Sequence, residues 1–118
     1  MSIEIALNKT KVGANHPVYI IAELSGNHGG DYNKAIEIIN KAKEAGANAI
    51  KLQTYTADTI TLKTKKEDFL LPKDSPWEES KTLYQLYSEA FTPWEWHEGL
   101  FKEAKKLNLE NQVRFKLI

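Results

Sequence analysis

The sequence predicts an α/β fold built around a parallel sheet, and three consecutive segments carry that prediction. Residues 18–24, VYIIAEL, are almost continuously apolar, which is typical of a strand buried on both faces of a parallel sheet. An amphipathic segment with helical period follows, and a second apolar strand begins at about Ala49. A strand, a crossover helix and a strand of this length form a βαβ unit whose strands run parallel.

The N-terminal residues predict a short β-hairpin ahead of this unit. Ile3, Ile5 and Leu7 alternate with polar or small residues, as in a strand with one covered face. Residues 9–17 contain Asn, Gly and Pro, which are typical of turns. Residues 2–19 are therefore expected to form the hairpin.

The helix of the βαβ unit has recognisable ends. Asp31 is a good N-cap, because its carboxylate can accept hydrogen bonds from the free N–H groups of the first turn. Gly46 stands where a left-handed C-terminal cap is expected. The apolar residues between them recur at helical spacing: Tyr32, Ala35, Ile36, Ile39 and Ala42.

A long connection separates this unit from the next helices. Residues 56–80 follow neither the strand period nor the helix period, and Pro72 and Pro76 interrupt them. A connection of this length predicts a lid, a binding loop or a disordered segment. Phe69 and Trp77 are expected to anchor it to the rest of the molecule.

Two helices and an unusual tail are predicted after the connection. A short helix spans about residues 83–90, and Thr92 with Pro93 predicts the start of a longer one that runs to about Leu107. The tail, residues 109–118, reads LENQVRFKLI and alternates apolar with basic side chains. That alternation favours an edge strand.

Composition excludes several classes of protein. The 118 residues suit one domain, and the 16 basic and 16 acidic residues give a formal net charge of zero. This balance argues against a broad surface for nucleic acid or an anionic membrane. The absence of cysteine excludes disulfides and thiolate metal sites. The sequence has neither a secretory signal nor an apolar stretch that could span a membrane, so a cytoplasmic location is expected.

Polar residues at the ends of the two predicted parallel strands indicate an active site. Glu23 lies near the end of the first strand, and Lys51 and Gln53 lie in the second. Since the carboxyl ends of parallel strands face the ligand crevice, we expect Glu23 and Lys51 to point into one pocket. A structural ion pair between them is the alternative interpretation.

The turn SGNHGG, residues 25–30, offers two further candidates. Asn27 and His28 are predicted to contact substrate. A metal site is not predicted here, because one histidine does not supply the three or four ligands that a metal needs. For His28 the alternative is a structural role in shaping the turn.

Three segments of the sequence resemble the sialic acid synthase family of phosphoenolpyruvate-dependent nonulosonate synthases. They read AELSGNHGGD, AGANAIKLQTYTADT and SPWEESKTLYQLYSEAFTPWEWHEGLF. The second and third segments are most similar to the pseudaminic acid synthase branch of that family. The resemblance implies a (β/α)₈ TIM barrel, of which this chain would supply the N-terminal part, about three βα units preceded by the hairpin. It also implies condensation of phosphoenolpyruvate with an N-acetylated amino sugar in its aldehyde form, with release of phosphate. In the pseudaminic branch that sugar is a 2,4-diacetamido-2,4,6-trideoxy hexose.

The same resemblance implies roles for single residues and for partners. Glu23 is matched to the acidic residue that transfers a proton near the acceptor sugar, Lys51 to the lysine that meets phosphoenolpyruvate, and Gln53 to a contact with the acceptor. A divalent metal, Mn or Mg, and a homodimer are implied for the full-length family. The metal ligands of the family lie beyond Ile118 in its pattern.

The tail departs from the family pattern, so residues 1–118 are expected to be a single partial domain, truncated and inactive alone. Two other classes remain open. One is a non-catalytic remnant that assembles through exposed sheet edges. The other is a different TIM-barrel enzyme, such as an aldolase that uses Lys51 as a Schiff-base amine.

Overall fold

The computed structural model describes residues 3–76 and 81–115, and for residues 110–115 it describes the backbone alone. Trp77 and the last three residues of the tail lie outside this part of the chain. The strands are β1 (Glu4–Leu7), β2 (Thr10–Gly13), β3 (Ile21–Leu24), β4 (Ala49–Thr54) and β5 (Glu110–Phe115). The α-helices are α1 (Tyr32–Glu44), α2 (Ala57–Ile60), α3 (Leu83–Ala90) and α4 (His97–Lys106). Single 3₁₀ turns span Gly26–His28, Glu67–Phe69 and Trp94–Trp96.

The sheet that positions the site consists of three parallel strands in the order β3-β4-β5. The segment containing α1 connects β3 to β4, and the long connection with α3 and α4 leads from β4 to β5. The predicted parallel βαβ unit is therefore confirmed. Within the described residues β5 lies at an edge of the sheet, as the alternation in the tail predicts.

The N-terminal hairpin is also confirmed, and it is shorter than predicted. The expected covered face is wrong, because Ile3, Ile5 and Leu7 are all exposed. Strands β1 and β2 pair antiparallel, with Glu4 opposite Gly13 and Leu7 opposite Thr10. Asn8 turns the chain between them with a φ of 51°, in the left-handed region that asparagine tolerates better than most residues.

Helix α1 begins and ends where its capping residues predict. The Asp31 side chain accepts hydrogen bonds from the backbone N–H groups of Asn33, at 2.8 Å, and Lys34, at 3.2 Å. Gly46 follows the helix with a φ of 93°, a conformation that disfavours side chains with a Cβ. Both ends are thus determined by local chemistry.

The core lies between the sheet and helices α1 and α4. Side chains from all three layers are fully buried there and exclude water from the covered face of the sheet. They are Leu24, Ala35, Ile39, Ile50, Leu52, Leu100 and Ala104.

The predicted burial of residues 18–24 on both faces is wrong for most of that segment. Val18 is 83% exposed, Ile20 49% and Ile21 41%, and the strand itself begins only at Ile21. Leu24 alone among these four is buried. The physical reason is that, within the described residues, β3 pairs with a strand on one side only, namely β4.

The predicted helix start at Thr92 is also corrected. A 3₁₀ turn, Trp94–Trp96, intervenes, and α4 begins at His97. Thr92 is fully buried, and within residues 3–76 and 81–115 its hydroxyl has no hydrogen-bond partner, so it caps no helix. The capping box forms instead at α3, where the Thr82 hydroxyl accepts a hydrogen bond from the backbone N–H of Gln85 at 3.2 Å.

The connection after β4 carries some structure of its own. It contains α2 and the turn Glu67–Phe69, and Leu70 forms an antiparallel bridge with Thr82. Leu71 is buried, so this apolar segment does pack against the rest of the molecule. No helix in the described part of the chain is both long enough and apolar enough to cross a membrane.

Candidate functional site

The register of the parallel strands brings the predicted polar residues together. Glu23 of β3 lies directly opposite Lys51 of β4. Opposite residues of neighbouring strands project from the same face of a sheet, and residues two apart on one strand share that face. Glu23, Lys51 and Gln53 are therefore placed on one face.

The three side chains make direct contact on that face. The ammonium of Lys51 pairs with one carboxylate oxygen, Oε1, of Glu23. The amide nitrogen of Gln53 donates a long hydrogen bond of 3.4 Å to the other oxygen, Oε2. The expected meeting of Glu23 and Lys51 is confirmed, while their role in binding a ligand stays a prediction.

This cluster remains accessible to a ligand. The side chain of Glu23 is 48% exposed and that of Lys51 is 22% exposed. By contrast, Ile50, Leu52 and Thr54, which alternate with these residues along β4, are buried on the helix side of the sheet. The central strand therefore has one packed face and one polar, accessible face.

His28 lies in the core rather than in the accessible cluster. Its ring is fully buried, and Trp96 packs edge to face against it with ring centres 5.2 Å apart. The backbone N–H of Gly30 donates to Nδ1 at 3.0 Å, so Nε2 carries the hydrogen of the neutral ring. Of the two roles considered for His28, this geometry favours shaping the turn. Its contact with substrate stays an untested prediction.

Asn27 has a different environment from its neighbour. It is exposed on the 3₁₀ turn Gly26–His28, which directly follows β3. A ligand above the end of β3 could reach a side chain on this turn. The predicted substrate contact of Asn27 therefore stays a prediction that the local geometry permits.

Burial of His28 should make the protein acid-sensitive. Burial lowers the pKa of His28 below its ordinary value of 6.5, because the charged ring loses its hydration. The unfolded chain then binds a proton more readily than the folded chain, so this stabilisation is present above pH 6.5 and is lost as the pH falls below it. We therefore expect the free energy of unfolding in urea to fall as the pH is lowered from 7.5 to 5.

The matched control for this experiment is the variant His28→Gln, which cannot titrate. His16 and His97 remain in that variant, so the difference in pH slope isolates His28. Equal slopes in the wild type and the variant would contradict the assignment of acid sensitivity to the buried ring.

A hydrogen bond between Thr54 and His97 is the part of the region that sequence reasoning missed. The Thr54 hydroxyl lies 2.5 Å from Nε2 of His97, across 43 positions of sequence. Neither residue belongs to a motif whose spacing would have paired them. The only available signal was the polar type of Thr54 at a buried position of β4.

A metal site does not form among these residues. Residues 3–76 and 81–115 contain no group of three or more His, Cys, Asp or Glu side chains that could hold a metal ion. The polar groups that this cluster presents to a ligand are the carboxylate of Glu23, the ammonium of Lys51 and the amide of Gln53.

Comparison with known protein families shows to which family this chain belongs. The sequence profile of the NeuB family matches residues 38–112, which is more than half of the chain. The chain belongs to the NeuB family. The matched region contains β4, with Lys51 and Gln53, and both long helices of the connection.

Two relatives of this NeuB family chain are pseudaminic acid synthases. The pseudaminic acid synthase of Campylobacter jejuni is 52% identical over 88 residues, which cover 75% of this chain and 25% of that relative. The pseudaminic acid synthase of Helicobacter pylori is 46% identical over 93 residues, covering 79% of this chain and 27% of that relative. The chain thus spans about a quarter of the length of these relatives.

Solved structures support the fold. The N-acetylneuraminic acid synthetase of Leptospira borgpetersenii superposes with a TM-score of 0.74 at 33% identity, covering 96% of this chain and 34% of that one. The spore coat polysaccharide biosynthesis protein SpsE of Bacillus subtilis gives 0.65 at 28% identity, covering 94% of this chain and 27% of that one. These neighbours are TIM-barrel enzymes, so the predicted fold class is confirmed.

Proposed function

We propose that this chain forms part of a synthase that condenses phosphoenolpyruvate with 2,4-diacetamido-2,4,6-trideoxy hexose. The product is the nine-carbon acid pseudaminic acid, and phosphate is released. The observation that carries the proposal is the contact of Glu23, Lys51 and Gln53 on the accessible face of the parallel sheet. The identity to pseudaminic acid synthases supports this choice of acceptor.

Lys51 is proposed to bind phosphoenolpyruvate. This substrate carries a phosphate and a carboxylate, and its negative charge is attracted to an ammonium. In the absence of ligand, Lys51 pairs with the carboxylate of Glu23. An incoming phosphoenolpyruvate would therefore compete with Glu23 for Lys51.

Glu23 is proposed to transfer protons and Gln53 to orient the acceptor sugar. The carboxylate can take the hydroxyl proton as the cyclic sugar opens, and it can return a proton to the aldehyde oxygen as the new carbon–carbon bond forms. The amide of Gln53 contacts the same carboxylate at 3.4 Å, so a sugar bound by Gln53 lies within reach of Glu23.

A divalent metal, Mn or Mg, a homodimer and a cytoplasmic location complete the proposal. The described residues do not fit a metal by themselves, so none of the roles above is routed through one.

The proposed homodimer predicts a molecular mass that doubles with concentration in sedimentation equilibrium. A constant monomer mass at high concentration would contradict it.

The proposed function is tested in the context of a full-length relative. Replacing the matched segment of the Campylobacter jejuni synthase with this chain gives a chimera that carries the Glu23, Lys51 and Gln53 described above. We expect phosphate release from phosphoenolpyruvate that depends on the acceptor sugar. A chimera with the thermal stability of its parent but no phosphate release would contradict the proposal.

The aldolase alternative for Lys51 can be separated in the same preparation. A Schiff base requires the lysine nitrogen to attack a carbonyl, and the ion pair with Glu23 would have to break first. Borohydride reduction in the presence of a carbonyl substrate is expected to leave the mass of the chain unchanged. A trapped adduct on Lys51 would instead favour the aldolase.

A further inference from the structure

The last residue of β4 is tied to the first turn of α4 by the pair Thr54 and His97. Thr54 is 2% exposed and lies on the helix side of the sheet, opposite to the accessible cluster. Its hydroxyl meets Nε2 of His97 at 2.5 Å. This contact is on the packed face, so neither side chain is placed to touch a ligand bound at Glu23.

The second nitrogen of His97 fixes the direction of this hydrogen bond. Nδ1 lies 3.1 Å from the carbonyl oxygen of Pro93 and 3.2 Å from that of Trp94. A carbonyl oxygen can only accept, so Nδ1 carries the hydrogen of the neutral ring and donates it. Nε2 is then the acceptor, and the Thr54 hydroxyl donates to it.

Two aromatic rings hold the imidazole in this orientation. Trp94 stacks on it with ring centres 5.8 Å apart and an angle of 23° between the planes. Phe101 packs edge to face against it at 5.9 Å. The ring that accepts from Thr54 is thus part of the packed first turn of α4.

The end of β4 needs such support because its pairing with β3 stops early. The β3 ladder ends where Leu24 lies opposite Leu52, so Gln53 and Thr54 extend beyond it. Pairing on the other side, with β5, continues to Thr54. Gln53 is therefore held from one side of the sheet by backbone pairing, and its contact with Glu23 is long, at 3.4 Å.

We infer that His97 is a positioning residue, which holds Gln53 against Glu23 through Thr54. Thr54 is joined to Gln53 by one peptide bond, so fixing the Thr54 side chain restricts the backbone that carries the amide. The consequence for sugar binding rests on the proposed function, since Gln53 is the proposed contact to the acceptor sugar. The contact itself is a property of the folded chain and can be measured without any substrate.

The test uses paired substitutions in the 118-residue chain. Thr54→Val keeps the shape of the side chain but removes the hydroxyl donor, whereas Thr54→Ser keeps the hydroxyl donor. His97→Asn preserves a donor near Nδ1 but leaves nothing at Nε2, whereas His97→Gln can present an acceptor to Thr54. The reported signal is the side-chain amide of Gln53 in ¹H–¹⁵N spectra, assigned by its loss in Gln53→Glu.

We expect Thr54→Val and His97→Asn to speed exchange of the Gln53 amide protons with solvent about fivefold or more, the effect of losing one net hydrogen bond. Thr54→Ser and His97→Gln should stay within twofold of the wild type. The double variant Thr54→Val/His97→Asn should match the single variants, because all three lose the same bond. If Thr54 and His97 had only a structural role, the variants would lose stability. The exchange rate of the Gln53 amide protons would then stay unchanged under conditions where the chain is folded.

The kinetics of the chimera provide a second test of the inference. Thr54→Val should raise KM for the acceptor sugar about fivefold and leave KM for phosphoenolpyruvate within twofold. A wild-type Gln53 signal in Thr54→Val, or a failure of Thr54→Ser to restore it, overturns the inference. If the chimera releases no phosphate, the proposed function fails, while the Gln53 signal still decides whether His97 positions the amide.

Discussion

Replacing Lys51 by methionine is expected to lower kcat/KM of the chimera for phosphoenolpyruvate by about 10²- to 10³-fold. The physical reason is that removing one partner of a close charge pair with bound substrate costs about 2–5 kcal/mol, and each 1.4 kcal/mol is tenfold. The effect on stability should be small, about 0–1 kcal/mol, because the Glu23 side chain is 48% exposed and water can solvate it. Phosphate release and urea unfolding measure the two effects separately.

Two further variants distinguish binding from a structural ion pair. Lys73→Met removes an exposed lysine of the connection and is expected to leave kcat/KM within twofold. The double variant Glu23→Gln/Lys51→Met removes both charges, so it should recover any lost stability while remaining inactive. If the double variant regained activity together with stability, the pair would be structural and the proposed role of Lys51 would be wrong.

Leu100→Ala is expected to have the largest effect on stability. Leu100 lies in α4 with no exposed surface and belongs to the core between that helix, α1 and the sheet. Truncating a fully buried leucine removes apolar burial and leaves a cavity, which together cost about 2.7–5 kcal/mol. Urea unfolding of the 118-residue chain, followed by circular dichroism, gives the difference in free energy.

The matched control is Leu62→Ala, the same truncation at a side chain that is 65% exposed. It is expected to change the free energy of unfolding by less than about 0.5 kcal/mol. Similar losses in the two variants would contradict the placement of Leu100 in the core. They would also contradict the packing of α4 against the sheet.

Local chemistry made several elements predictable from the sequence. Asp31 and Gly46 predicted the ends of α1 because capping depends on neighbouring backbone groups, which need no tertiary partner. The alternation of Ile3, Ile5 and Leu7 predicted a strand for the same reason. The resemblance to a known family then predicted the TIM barrel, which the solved relatives confirm.

The candidate site was predicted in part. Glu23, Lys51 and Gln53 were selected because polar residues at the ends of apolar strands are expensive to bury. The structure adds that all three meet on one carboxylate, since the register sets Glu23 opposite Lys51. His28 could not be placed in this way, because its burial depends on Trp96, which is distant in sequence.

The sequence alone determined the parallel βαβ unit, the helix ends of α1 and the residue types of the accessible cluster, because each depends on neighbours along the chain. Only the tertiary structure decided that Val18 and Ile21 are exposed and that His97 reaches Thr54. Burial of a strand depends on which strands flank it, and a hydrogen bond across 43 positions depends on how a helix docks. Neither quantity is encoded in a local pattern, so the packing of the whole chain has to be known first.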